Sequence, residues 1–524
     1  MDDALATRSL ARTYDGLPYE SEIHQTVHPV RLSSAARRRG VTTAPIGGAR
    51  VLELGCAQAT DLILIADSYP DATFVGVDIS ERHVEVARTR VGDLGLENLK
   101  ILHGDIETFD ESLGPFDYII CHGIYSWVPE RVRSHMLELC GRLLAPGGVA
   151  NVSYNVLPGW HSKRDLRDLL LAAIEPVENV RERPAAAREV MSALKDTLDQ
   201  SPYGVIMNNH IESAMGSQDW YLAHDFLEVV NHPVYLTEFV QHAAASALRY
   251  LADLSVTNEA PMMGHDGHIP RTPADVVGQQ QTDLLRGQVF RSAVLCREDE
   301  PVPDSLRFEE LLQMHVTSRM AADTSDPNAH KFSVAGANDD RTLTIRDPDV
   351  AVALTVLGQI FPRSMRIDQL IAVTAERGGD VGHPDEFAQR LINTLLELSS
   401  NHPFSGAPLE ILAEPFPFVS TVGERPEVSA AARYFLGQGS NAMTRRHETG
   451  SVDDSARFAL QQLDGSNTID DVASLILAEY AAGRLTTSGG TLENAESDEE
   501  RRRLSRRMTD HVIDTAVKIG LLVR

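Results

Sequence analysis

The chain has 524 residues, 43% of them hydrophobic, and a formal net charge of −27. That length predicts about three domains with apolar material for several cores, and the acidic balance argues against a surface built to grip phosphate backbones, so no nucleic-acid partner is expected. No apolar run reaches about 18 residues, and Met1-Asp2-Asp3-Ala4 lacks an apolar h-region, so no membrane span, no secretory signal and a cytoplasmic location are predicted.

The basic clusters Arg37-Arg38-Arg39 and Arg501-Arg502-Arg503 read as solvated helix faces or linker edges. Cys56, Cys121, Cys140 and Cys296 show neither a CxxC pair nor zinc spacing, so they are expected to be buried or site-lining thiols, with no metal site.

Residues 1–46 form an N-terminal lid or substrate segment, in which His24 and His28 are candidate lid residues and His28-Pro29 is alternatively a loop-to-helix boundary. From 47 to 164, strands are predicted at Val51–Leu54, Thr73–Val77, Leu99–His103, Tyr118–Cys121 and Val149–Tyr154. Helices such as Arg82–Val91 and Arg131–Leu144 fall between them, the alternation of an α/β, doubly wound, Rossmann-like sheet. The run Leu144-Ala145-Pro146-Gly147-Gly148-Val149 reads as a helix stop and sharp turn. Residues 165–304 are predicted mainly helical, periodic from Asp165 to about Ser255 and then loop-rich around Pro261, Gly264, Gly267 and Pro270. Residues 305–524 are again mainly helical. Leu354–Leu398 and Phe458–Leu522 echo one another as helix–turn–helix–loop–helix, the pattern of a winged-helix-like region, and Thr486–Glu500 reads as a flexible insertion.

Chemistry gathers at the predicted strand ends. Glu53-Leu54-Gly55-Cys56-Ala57-Gln58 leaves the first strand and opens a helix, where a glycine lets backbone approach a ligand and helix N–H groups are unpaired. Asp78, before Ile79, ends the second strand and is placed to accept the hydroxyls of a ribose. Asp105, before Ile106, ends the third, placed to meet an adenine amino group. Cys121-His122-Gly123-Ile124-Tyr125-Ser126-Trp127 ends the fourth, where a reacting group is expected. The G-x-G-x-x-G needed for NAD is missing, since Gly55 is followed by Cys56-Ala57-Gln58-Ala59-Thr60.

This pattern resembles class I S-adenosylmethionine (SAM) methyltransferases over Arg50–Tyr154, with Ala57 in place of the second loop glycine. An alanine is expected to serve there with a negative φ. The segments Tyr14–Tyr19, His24–Leu32, Gly114–Pro129, Val152–Trp160, Tyr221–Glu228 and Thr444–Glu448 are similar to a bacterial family of methyltransferases with a regulatory domain and a C-terminal winged helix. Members of that family include rickettsial protein-lysine methyltransferases acting on outer-membrane proteins. The resemblance implies SAM as cofactor, held by Glu53, Gly55, Cys56, Ala57, Asp78, Ile79, Asp105, Ile106, Cys121 and His122. It implies in-line methyl transfer beside His122, Tyr125, Trp127 and Tyr154, with Tyr14, Tyr19, His28 and Trp160 facing the substrate. His122 is a candidate base for a hydroxyl acceptor, and an apolar aromatic channel would keep a lysine amine neutral. The acceptor implied is a protein lysine; the alternatives are a small-molecule N- or O-methyltransferase, or a non-catalytic SAM-binding scaffold.

Overall fold

The computed structural model describes residues 13–523 except 20–22, 196, 199, 255–272, 304–307, 324, 326–329, 335–341, 378–382, 401–407, 440 and 488–490. Helix α1 (Pro29–Arg38) precedes five parallel strands: β1 (Arg50–Leu54), β2 (Thr73–Asp78), β3 (Leu99–His103), β4 (Phe116–Cys121) and β5 (Leu144–Asn155). Helices α2 (Thr60–Ser68), α3 (Glu81–Leu94) and α4 (Glu130–Leu143) connect them. The strand order β3-β2-β1-β4-β5 reverses direction at β1, so the carboxyl ends of β1 and β4 flank a crevice. Alternation along each strand supplies both faces. Val51 and Phe74 pack into a core with α1, α2 and α3, while Leu52, Leu54 and Val75 pack against α4 on the other side. Local signals set the helix limits: Ser80 caps α3 by accepting from the His83 N–H, and Gly95 ends it at φ +63°. α4 stops at Leu143 as predicted, but β5 begins at once at Leu144, so the expected sharp turn is an irregularity within the strand, where the register with β4 jumps from Phe116–Leu144 to Tyr118–Val149 and Gly147 has φ +74°.

Two further strands complete the sheet and correct the helical and loop-rich reading of 165–304. β6 (Leu248–Asp253) and β7 (Phe290–Arg297) extend it to β3-β2-β1-β4-β5-β7-β6, with β7 antiparallel to both neighbours. Ser292-Ala293-Val294-Leu295-Cys296 is buried throughout, so it lacks the alternation that marks a half-buried strand. A buried ion cluster ties these strands together: Arg291 donates from Nε and Nη2 to Asp283 (2.9 and 2.7 Å) and from Nη1 to Asp253 (3.2 Å).

The rest of that region is helical as predicted. α5 (Trp160–Ile174), α6 (Arg183–Lys195) and α7 (Pro202–Met215) enclose their own core, including Leu166, Leu170, Met191, Ile211 and Phe226. α8 (Leu236–Ala245) and α9 (Val277–Arg286) return toward the sheet. Beyond residue 305 the two echoing pieces form separate cores. The first holds α10 (Pro348–Ile360), α11 (Ile367–Glu376) and α12 (Pro384–Ser400) beside a three-stranded sheet of β8 (His315–Ser318), Met365–Arg366 and Leu409–Leu412. The second holds α13 (Ala430–Leu436), α14 (Asp454–Gln462), α15 (Ile469–Ala481) and α16 (Asp498–Ile519) with the hairpin Asn441–Met443/Thr449–Ser451. The run Thr486–Glu500 departs from its reading as a flexible insertion. Leu492 is fully buried in that second core, Glu493 accepts from the Thr487 hydroxyl, and α16 begins at Asp498; residues 488–490 lie outside the described residues.

Candidate active site

The loop after β1 is held by backbone geometry. Gly55 has φ +72°, and a Cβ there would lie 2.5 Å from Ile124 Cδ1. Gly55 and Cys56 donate their N–H groups to Val77 O. Ala57 has φ +45° and Ala59 φ +56°, so the expectation of a negative φ at Ala57 is corrected. Both alanines adopt the left-handed conformation that glycine adopts freely, at a cost of about 1–2 kcal/mol each. Asp78 offsets part of this: its Oδ2 accepts from the Ala57 N–H (2.9 Å) and its Oδ1 from the Ser80 N–H (2.9 Å). The acid at the end of β2 therefore clamps the loop at the end of β1.

Above these strand ends lies a cavity of about 610 Å³. Among the residues expected to hold a cofactor, Glu53, Gly55, Cys56, Ala57, Asp78, Ile79, Asp105, Ile106 and His122 line it. Asp105 also caps the turn Ile106–Thr108, its Oδ1 accepting from the Glu107 N–H (3.0 Å). Tyr14, Tyr19, Trp127 and Trp160 line it too, and the indoles of Trp127 and Trp160 meet edge to face at 6.2 Å.

Four expected site residues are turned away from it. Cys121 packs in the core with its Sγ 3.7 Å from Cys140 Sγ. Tyr125 is hydrogen-bonded to His242 Nδ1 (2.8 Å), and Tyr154 stacks on Phe239 at 4.1 Å; both pack against α8. His28 is buried and caps α1, its Nδ1 accepting from the Val30 N–H (3.1 Å). The loop-to-helix reading of His28-Pro29 therefore holds and its substrate-facing reading does not. Period-2 alternation is the cause for the strand residues, since neighbours along one strand face opposite sides.

The wall opposite the loop is aromatic and acidic. Tyr14 stacks on His224 at 4.3 Å, and His224 Nε2 hydrogen-bonds Leu17 O (2.7 Å), which joins the N-terminal segment to the helical region. The Lys163 ammonium lies 5.0 Å from the Trp160 ring centre, 5.3 Å from that of Phe226, and 3.9 Å from Asp225 Oδ2. Burial raises the Asp225 carboxyl above the usual carboxylate range, against the pull of Lys163.

At the third wall His24, weighed from the sequence as part of a lid, meets Asp61 and His447, which sequence reasoning left unassigned. Asp61, on the first turn of α2, accepts from the His24 backbone N–H (2.9 Å) and the His447 ring at Oδ1, and from His24 Nδ1 at Oδ2 (3.0 Å). The His24 ring lies 4.2 Å from that of His122, and both line the cavity. Burial, then the neighbouring His24, push His122 down to about 3, which makes it a weak base at neutral pH. No local pattern joins residues this far apart; the nearest signals were the motif segments His24–Leu32 and Thr444–Glu448.

The site fits a nucleoside ligand with hydrogen-bond donors. Glu53 Oε2 and His122 Nδ1 are buried at the cavity without a hydrogen-bond partner among the described residues. Burial, with Asp61 and Asp78 nearby, raises the Glu53 carboxyl well above its ordinary range, the state of an acid awaiting a partner. Ile79 and Ile106 supply apolar walls next to Asp78 and Asp105.

Comparison with known proteins agrees. Residues 47–221 match the model of a methyltransferase domain, 218–297 that of a predicted methyltransferase regulatory domain, and 424–521 that of the PKMT C-terminal winged helix domain. An uncharacterized protein, RP789, of Rickettsia prowazekii (strain Madrid E) is 29% identical over 506 residues, covering 92% of this chain and 89% of its own length. Trans-aconitate 2-methyltransferase of Methylobacterium radiotolerans is 34% identical over 101 residues, 19% of this chain and 36% of that protein. PKMT2 from Rickettsia typhi shares the fold, with a TM-score of 0.82 at 23% identity over 97% of this chain and 100% of its own; it has also been solved in complex with AdoHcy.

Proposed function

We propose that this SAM-dependent methyltransferase delivers its methyl group to lysine amines of a protein acceptor. The observation that carries the reading is the wall at Trp160 and Asp225, with Phe226 behind it, which already accommodates one lysine ammonium, that of Lys163, between aromatic rings and a carboxylate. Further support comes from the match of residues 424–521 to a PKMT winged helix and from the likeness of fold to PKMT2 along nearly the whole chain. Residues 1–46 are assigned as a lid and substrate segment, 47–164 as the SAM-binding domain, 165–304 as the regulatory region and 305–524 as the winged-helix-like region.

In this reading Asp78 accepts the ribose hydroxyls, Asp105 meets the adenine amino group between Ile79 and Ile106, and Glu53 takes up the remaining ammonium. When bound, SAM supplies an electrophilic methyl group on a sulfonium. Trp127, Trp160, Tyr14 and Tyr19 exclude water and face cationic groups with ring π-density, and Asp225 holds the incoming ammonium in register. Rate then comes from alignment, with no covalent intermediate on the protein.

The test incubates the protein with methyl-labelled SAM and a cell lysate split into protein and metabolite fractions. Label is expected in the protein fraction and, after acid hydrolysis, in methylated lysine. Label confined to the metabolite fraction would replace this reading with the small-molecule one, and SAM binding without transfer to either fraction would leave a scaffold.

A further inference from the structure

We infer that Lys163 is itself a methylation site of this enzyme, receiving the methyl group when no acceptor protein fills the cavity. The inference rests on the amine reading above and extends it to an amine of the chain's own.

Helix geometry brings Lys163 to the chamber. Trp160 opens α5 and Lys163 stands three residues on, so both side chains project from one face of its first turn. They line the same cavity as Gly55, Asp78, Asp105 and Gly123. Trp160 meets Trp127 edge to face at 6.2 Å, which joins the α5 wall to the segment after β4, where methyl transfer is expected. Lys163 thus enters the chamber from the wall assigned to the acceptor.

Its ammonium is held loosely there. The 3.9 Å to Asp225 Oδ2 exceeds hydrogen-bond reach, and 17% of the side chain is exposed. Its ring contacts, 5.0 Å to the centre of Trp160 and 5.3 Å to that of Phe226, attract a cation without fixing where its N–H groups point. Lys195 on α6 shows the contrast: its Nζ donates to Glu212 Oε1 at 2.8 Å in a hydrogen-bonded surface pair. A part-buried cation kept for stability is expected to be hydrogen-bonded in that way. Lys163 instead meets two rings and a carboxylate at arm's length, the surroundings that the reading above gives to the acceptor amine. Its flexible four-carbon stem lets Nζ leave Asp225 and sweep the chamber without backbone movement.

Asp225 and Phe226 both reach Lys163 from one π-helical turn, Leu222–Phe226, a winding frequent at functional sites. The same wall suits the product. Methylation of an amine keeps the positive charge and removes N–H donors, and aromatic rings retain methylated ammonium groups by the same attraction.

The step balances. The Lys163 ammonium gives one proton to the Asp225 carboxylate, which burial makes a better proton acceptor than an ordinary carboxylate, and Asp225 passes it to water. The freed electron pair on Nζ forms the N–C bond as the C–S bond breaks with its pair retained on sulfur. Methyl-Lys163 and S-adenosylhomocysteine result.

The test incubates the full-length protein with methyl-labelled SAM and no acceptor, then locates the label by proteolytic digestion and tandem mass spectrometry. Label is expected at Lys163, at an occupancy at least about tenfold above that of Lys195, because the chamber holds amine and methyl in one molecule. For the same reason the fraction labelled per unit time should be unchanged when the protein is diluted about tenfold. Lys163→Arg keeps the charge and the ring contacts; it should lower self-labelling by at least about tenfold while the variant still binds S-adenosylhomocysteine. Label on surface lysines such as Lys195 with none at Lys163, or labelling per molecule that falls in proportion to dilution, overturns the proposal. A wild-type protein that labels lysines of a lysate and never Lys163 overturns this proposal alone. Label at Lys163 with lysate label confined to metabolites overturns the protein-acceptor reading alone. Transfer to neither overturns both.

Discussion

Asp78 carries two loads at once. It clamps Ala57 and Ser80 by their N–H groups and presents its carboxylate to the cavity. Hydrogen bonds to a charged group contribute about 1.5–3 kcal/mol each, so Asp78→Ala is expected to weaken SAM binding by roughly 10- to 100-fold, measured by calorimetry. Asp78→Asn keeps the shape and removes the charge, and should lose less. Unchanged affinity in both variants would move the ribose site elsewhere. At this scale the sequence was a fair guide to Glu53, Asp78 and Asp105, because each sits at the end of its own strand and the motif places it without help from distant residues. It was a poor guide to Tyr125 and Tyr154. Their aromatic chemistry suggested a site wall, but they pack against α8, which no local pattern brings to them.

Among elements, the junction between the sheet and α5 decides where Trp160 stands. Gly159 precedes α5 and donates its N–H to Gln288 O (3.1 Å), on the turn leading into β7. A Cβ on Gly159 would lie 2.3 Å from Gln288 O and 2.4 Å from Gly287 O, both backbone atoms that cannot swing aside. Gly159→Ala is therefore expected to cost about 1–3 kcal/mol, lower Tm, and shift the tryptophan emission as Trp160 moves. A Tm equal to wild type would show that the turn at 287–288 yields. The elements β1 to β5 were legible because their apolar runs alternate with amphipathic helices at regular spacing. β6 and β7 were not. Leu248–Asp253 is short and sits among helices, and Phe290–Arg297 follows a loop-rich stretch. What makes them strands is hydrogen bonding to β5 and to each other, a long-range partner that period alone does not reveal.

Across the whole molecule, the N-terminal helix and the C-terminal region are joined by a charge cluster. Arg31 donates to Glu410 Oε1 (3.0 Å) and to the carbonyl of Arg446 (2.9 Å), Arg446 donates to Glu410 Oε2 (2.6 Å), and Arg319 reaches Glu448. Burial alone would raise Glu410, but Arg31 and Arg446 outweigh it and hold the carboxyl at about 2. Its folded titration thus lies below its ordinary value of 4.5, so the stability it contributes is present above about pH 4.5 and is lost as the pH falls toward 2. Glu410→Gln should cost about 3 kcal/mol at pH 7 in chemical denaturation, with the gap to wild type closing at pH 3 and below. An equal gap at both pH values would assign the loss to packing.

By itself the sequence determined the strand-end chemistry of this protein. A glycine loop, two acids and an aromatic segment sit at successive strand ends, and strand–turn–helix geometry within a few residues is enough to aim them at one crevice. It did not determine the conformation at Ala57, which has a positive φ with its N–H bonded to Asp78. Only the tertiary structure decided the grouping of His24, Asp61 and His447, and the closing of the sheet by β6 and β7. The physical reason is the same in each case: these contacts join residues tens to hundreds of positions apart in the chain, which come together only as the tertiary structure forms. Burial and hydrogen bonding select them then, and no period or motif within one segment records the choice.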